Sequence, residues 1–137
     1  MSKQKLHTAE EYAQQVMSGE VLVCEYVRLA VERYYHDLDV ALDRGWHFDR
    51  KAGARAINFI QKLKHTKGVW AGQRFKLEPW QQFIIWNIFG WMNADGTRRF
   101  RYAYIEISRK NGKTMLSAST GLLMLFADGE SRPEVYS

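Results

Sequence analysis

The seven residues Ser108-Arg109-Lys110-Asn111-Gly112-Lys113-Thr114 constrain this chain more than any other stretch. They follow a run from Phe100 to Ile107 that predicts a β-strand, and they precede an apolar run from Met115 to Phe126 that predicts a helix. Strand, short loop, Gly-Lys-Thr, helix is the layout of a phosphate-binding loop. The physical reason is local. A loop feeding a helix N-terminus aims several free backbone N–H groups at one point, where the helix dipole also favours negative charge. Gly112 lets the backbone turn and approach closely. Lys113 would reach the β- and γ-phosphates of a nucleotide, and the Thr114 hydroxyl would hold Mg²⁺. The usual pattern has a first glycine five positions before the second, and Ile107 stands there. The competing reading is a basic surface loop broken by a glycine.

The rest of the sequence fits a phosphate ligand. The 137 residues suffice for one domain with a core, and a hydrophobic fraction of 46% with five Trp excludes a disordered tail. Charged and polar residues interrupt every candidate membrane span, and the N-terminus lacks an apolar signal region. Cys24 is the sole cysteine, which rules out an internal disulfide and fits a cytosolic protein. The formal charge of +5 is unevenly spread. Residues 1–49 are net acidic, 50–77 hold eight basic and no acidic residues, and 97–113 hold six basic residues against Glu106. Between the two basic blocks lies an aromatic segment without a basic residue. Such blocks suit phosphate, either of a nucleotide or of a nucleic-acid backbone. For the first block, a merely solvated helix face is an equal alternative.

The periodicity predicts four helices before the strand. Thr8-Ala-Glu-Glu11 has the form of a capping box opening a helix to about Met17. Residues 20–43 form a long amphipathic helix on Val23, Val27, Ala30, Val31, Tyr34, Leu38 and Ala41, ended by Gly45. Residues 51–64 form a third, His65 to Gln73 a loop, and Pro79 starts a fourth that runs to about Trp91 and is apolar nearly all round. Asn93-Ala-Asp-Gly96 is a turn. Both faces of Phe100–Ile107 are apolar, as in an interior strand of a mainly parallel sheet, and Glu134-Val135-Tyr136 opens another strand. The fold class expected is α/β: an N-terminal helical segment leading into the first strand-loop-helix of a P-loop NTPase parallel sheet, incomplete within this chain. The division expected is a helical, lid-side region over 1–76 and the start of a P-loop ATPase domain over 77–137.

A nucleotide at Lys113 needs its base held. Gln81 offers an amide donor and acceptor that match the N7 and N6 edge of adenine, with Trp80 or Trp86 available for stacking. The alternative is that Gln81 and Gln82 face solvent on the fourth helix. Arg109, inside the loop, either stabilises charge on the γ-phosphate or is a solvated rim residue. Lys110 reads as solvated, and Asn111 as helping the loop to turn. His36, Asp37 and Asp39, and His47 with Asp49, lack metal-site spacing and read as helix-surface residues. Cys24, near the apolar stripe, reads as a small core residue.

Leu77-Glu78-Pro79-Trp80-Gln81, Phe89-Gly90-Trp91, Gly96-Thr-Arg-Arg-Phe-Arg101 and Arg109-Lys110-Asn111-Gly112-Lys113-Thr114 resemble the large subunit of tailed-bacteriophage terminases. The stretches Val16–Glu20 and Ala52–Gly72 are similar too. An Arg-Lys-Asn-Gly-Lys-Thr loop without its first glycine is a feature of that family. The resemblance implies the N-terminal part of a DNA-packaging ATPase that uses ATP and Mg²⁺, acting on duplex DNA with the phage portal, the small terminase subunit and other copies of itself, in the cytoplasm of a bacterial host. It implies adenine contact by Gln81, phosphate contact by Ser108 to Lys113, Mg²⁺ contact by Thr114 and γ-phosphate contact by Arg109, with Arg109 and Lys113 serving the chemistry. The later Walker B acids, coupling motif and nuclease of the family have no counterpart here, so a truncated product is expected. Two other readings stay open: a P-loop helicase or translocase of another lineage, and a basic module that binds DNA or a partner without turning over ATP.

Overall fold

The computed structural model describes residues 5–63, 76–106, 120 and 124. The order of elements is α1 (Thr8–Ser18), α2 (Glu25–Arg44), β1 (Trp46–Phe48), α3 (Arg50–Lys62), α4 (Pro79–Gly90) and β2 (Trp91–Asn93). The four helices are those the periodicity predicts, with shifted ends. The second begins at Glu25 rather than residue 20, because Gly19 closes α1 in a left-handed conformation (φ 81°) and the chain then runs irregularly to Cys24. Cys24 is the N-cap of α2 and is exposed, so it is not a core residue.

The capping box of α1 starts one residue earlier than Thr8. His7 is the N-cap: its Nδ1 accepts from the Ala9 N–H at 3.1 Å, and Glu10 Oε1 accepts from the His7 N–H at 2.8 Å. Imidazole has an acceptor nitrogen only when neutral. The same ring stacks on Trp86, with centroids 4.6 Å apart.

Helix α4 is apolar all round and is accordingly enclosed, packing on both α1 and α3. Phe83, Ile85, Trp86 and Phe89 are buried in it, and Ala9, Tyr12, Ala13 and Val16 meet it from α1, with Ala56, Ile57 and Ile60 from α3. Trp86 sits at the centre. Its Nε1–H donates to the Tyr34 hydroxyl of α2 at 3.2 Å, which satisfies the one polar atom of the ring. Gly53 of α3 lies beneath the indole, and a Cβ there would come within 2.9 Å of Cε3. Val31 and Tyr34 of α2 join this core, whereas Leu38 and Ala30 of the predicted stripe are exposed.

Two short strands escape the periodicity. β1 and β2 pair antiparallel, with Trp46 opposite Asn93 and Phe48 opposite Trp91. The turn expected at 93–96 is present: Gly96 adopts φ 85°, and Asp95 Oδ1 accepts from both the hydroxyl and the N–H of Thr97. Those hydrogen bonds hold the Asp95 carboxyl below its ordinary pKa. The chain then returns along β2, through a Met92–Arg98 bridge and an Arg99 N–H bond to the Trp91 carbonyl at 3.0 Å.

Beyond this bridge the sequence reading needs correction. Residues 100–106 form no strand, and Tyr102 and Tyr104 are 92% and 88% exposed. A strand exists through its hydrogen-bonded neighbour, and among the described residues no strand lies beside this segment. The only described sheet is two-stranded and antiparallel rather than parallel. Mixed helix and strand is the architecture observed. Thr120 and Met124 are helical, in line with a helix over Met115–Phe126. The Asp128-Gly129 turn and the Glu134–Tyr136 strand lie outside the described residues, as does the whole of the 65–73 loop.

Burial of His7 disfavours its charged form and lowers its pKa below 6.5, with Arg50 of α3 adding to this and Glu10 and Glu11 of α1 opposing it. A lowered folded pKa means that the unfolded chain binds the proton better. The stabilisation is therefore complete above pH 6.5 and is lost as pH falls through the folded value. The melting temperature is expected to drop between pH 7.5 and 5. His7→Asn, which keeps an N-cap acceptor that does not titrate, should show a shallower drop by calorimetry over the same range.

Candidate functional site

Gln81 lies in the first turn of α4. Pro79 occupies the first helical position, where its missing N–H costs nothing, and Glu78 is the N-cap. Gln81 Oε1 accepts from the Glu78 N–H at 2.9 Å, so the amide is locked against the chain that enters the helix. Gln81 and Gln82 are both buried, at 8% and 9% exposure, which removes the solvent-facing alternative. Gln82 turns its Nε2–H onto the Leu77 carbonyl at 3.0 Å, and the Leu77 N–H reaches Gln61 Oε1 of α3 at 3.4 Å. Gln82 thus serves the fold. Trp80 is half-buried beside Gln81. Trp86 is 1% exposed, with His7 stacked on it and Gly53 against it, and has no face left for a base.

The loop residues Ser108, Arg109, Lys110, Asn111, Gly112, Lys113 and Thr114 lie outside the described residues. What is described is the path towards them. Helix α4 runs from Gln81 to Gly90, β2 and the turn reverse the chain, and residues 100–103 line a cavity together with Ile88 and Phe89 at the far end of α4. Among the described residues no group of three or more His, Cys, Asp or Glu is arranged for a metal ion.

Asp37 has a different role, which the sequence reading missed. It is 7% exposed, and its Oδ2 accepts from Arg99 Nη1 at 2.8 Å, with Arg33 at 3.5 Å on the outer side. The Arg99 guanidinium lies 3.4 Å from the ring centroid of Trp46, 4.7 Å from Phe100 and 5.2 Å from Trp91. This ion pair in an aromatic enclosure ties α2 to the β-hairpin at the point where the chain sets off towards residue 107. The signal in the sequence is Asp37 itself, an acid three residues after Tyr34 on the apolar stripe.

The cavity has a volume of about 820 Å³ and opens between the start of α3, the end of α4 and the hairpin. Its apolar lining is Ile88, Phe89, Met92 and Phe100, and its basic lining is His47, Arg55, Arg98 and Arg101. Asp49 also borders it, with Oδ1 engaged as the N-cap acceptor for the Ala52 N–H at 3.1 Å. The cavity and Gln81 are at opposite ends of α4, about 12 Å apart along the axis for eight residues of helix.

Residues 79–137 match the family model of the terminase large subunit, ATPase domain. The match opens on the first residue of α4 and takes in Gln81 as well as the whole of 108–114. This similarity supports a terminase large subunit fragment. No curated protein and no solved structure matches the chain. The match gives the coarse assignment: similarity over this segment to the ATP-binding part of a DNA-packaging motor, and an ATPase family works on nucleotide. Among the described residues no helix is long and apolar enough to cross a membrane.

Removal of the Asp37 carboxylate leaves the Arg99 cation enclosed without its partner. Asp37→Ala should cost about 3 kcal/mol in denaturant unfolding, whereas Arg33→Ala, a solvated partner of the same acid, should cost less than about 1 kcal/mol.

Proposed function

We propose that this terminase segment carries the adenine-contacting and triphosphate-cradling elements of an ATP site, with Gln81 reading the base and Ser108 to Thr114 wrapping the phosphates. The observation that carries the reading is the state of Gln81, buried in the first turn of α4 with its amide oriented by the Glu78 N–H. A pre-oriented amide discriminates between bases because its donor and acceptor do not rotate freely on binding. Oε1 would accept from the adenine N6 amino group, and the amide nitrogen would donate to N7.

Chain geometry supports a single site. Twelve residues of α4 rise about 18 Å, and seven residues of extended chain cover up to about 24 Å. The segment 100–106 starts beside the far end of α4 after the chain has reversed. It is long enough to bring residues 108–114 back to the Gln81 end. There Gly112 permits close approach, Lys113 contacts the β- and γ-phosphates, Thr114 holds Mg²⁺, and Arg109 contacts the γ-phosphate. Lys110 and Asn111 shape the loop. Mg²⁺ supplies charge neutralisation between the phosphates.

In this reading residues 1–76 are a helical region flanking the site, residues 77–137 begin a P-loop ATPase domain with a parallel sheet, and the partners are duplex DNA, the phage portal, the small terminase subunit and other copies of the chain. A second reading, a basic module that binds DNA without nucleotide, is favoured by the exposed basic face of α3. The family match weighs against a helicase of another lineage.

The two surviving readings differ in nucleotide binding. Titration with a fluorescent non-hydrolysable ATP analogue and Mg²⁺ should give saturable binding that Lys113→Ala weakens at least tenfold. Gln81→Ala should weaken the adenine analogue more than the guanine one. Identical affinity for wild type and Lys113→Ala would leave only the basic module.

A further inference from the structure

The two basic blocks of the sequence meet on one face of the fold. On α3, Lys51, Arg55 and Lys62 are all exposed. Their spacings of four and seven residues bring them within about 60° of one another around the helix axis. Asn58, also exposed, falls in the same sector, while Ala52, Ala56, Ile57 and Ile60 are buried on the other side. No acidic residue occurs in α3, and among the described residues no carboxylate is recorded within ion-pair distance of Lys51, Arg55 or Lys62. Arg50 differs from these three, since its guanidinium is tied back to Glu10 and to the Lys5 carbonyl. Arg55 also borders the 820 Å³ cavity, and Arg101 of the second block borders it too.

We propose that the exposed row Lys51–Arg55–Lys62, together with Arg101 across the cavity, is a docking surface for the phosphate backbone of duplex DNA. Eleven residues of helix extend the row over about 16 Å, a length along which a duplex presents about nine phosphate charges. The row is straight, uncompensated and rigid, because the opposite side of α3 is locked into the core. The α3 row itself carries no aromatic side chain, and Tyr102, beside Arg101 on the cavity, is the nearest exposed ring on which a base could stack. Asn58 adds a neutral hydrogen-bond donor in line with the cations, as is common in backbone contacts. Such a surface grips without reading sequence. The choice of DNA as the anion rests on the packaging reading above, whereas the surface rests only on these side chains.

The test is fluorescence anisotropy with a labelled 30-base-pair duplex of arbitrary sequence in a salt series. The proteins are wild type and the triple variant Lys51→Gln, Arg55→Gln, Lys62→Gln, with melting temperature and ATP-analogue affinity measured alongside. The triple variant should bind at least tenfold more weakly, and its slope of log K against log salt should shrink by about 3. Melting temperature and analogue affinity should stay as in wild type. Arg101→Gln should remove about one further unit of slope. An unchanged slope in the triple variant overturns the proposal, as does tighter binding of a single strand of equal length. Loss of analogue binding in Lys113→Ala with the duplex slope intact keeps this surface, whereas failure of the nucleotide reading alone leaves the DNA result standing.

Discussion

One indole fixes the described fold. Trp86 is a large ring on a helix with no polar side, and it has to be enclosed from every direction. Each neighbour meets one of its requirements. Gly53 gives α3 the close approach that any side chain would deny, Tyr34 takes the N–H, and His7 covers a ring face while capping α1. Three helices are thereby registered against α4 by contacts that tolerate little volume change. The same logic recurs at the end of α4, where a side chain at Gly90 would overlap the ring of Phe48, so only glycine fits the last position before β2.

This arrangement gives α4 two working ends. Its first turn holds Gln81 in a fixed rotamer, and its last turn launches the hairpin that carries the chain back alongside the helix. The Asp37–Arg99 pair secures that hairpin to α2. The terminase family match starts at Pro79, yet the helix that opens it is packed by residues from α1, α2 and α3. The segment ahead of the match therefore supports the helix that opens it.

Much of this was legible in the sequence because it depends on local spacing. The four helices follow from three- and four-residue apolar repeats, the start of α4 from Pro79, and the 93–96 turn from Asn-Ala-Asp-Gly. The buried state of α4 follows from its lack of a polar side. What escaped depends on contacts distant in sequence. Trp46–Phe48 and Trp91–Asn93 are three-residue strands, too short for any period, and become strands only by pairing across more than forty residues. Asp37 reads as a surface acid until Arg99, 62 positions later, is found against it. His7 has no helix-capping signature as strong as that of Thr8, and it wins because its ring is also wanted over Trp86. Phe100–Ile107 fails in the other direction. Its residues have the composition of a strand, but composition supplies no partner, and among the described residues no strand lies beside 100–106. The Gly-Lys-Thr loop, the strongest signal in the sequence, falls inside the family match but outside the described residues.

The central claim is that the backbone from 108 to 114 forms a cradle for a triphosphate whose base is read by Gln81. Amide-resolved NMR of the protein titrated with a Mg²⁺–ATP analogue tests it most directly. The account predicts that the largest shifts fall on the backbone N–H groups of Gly112, Lys113 and Thr114 and on the Gln81 side-chain amide, saturating at a common concentration. Saturating shifts confined to other residues, with these groups unmoved, would contradict it.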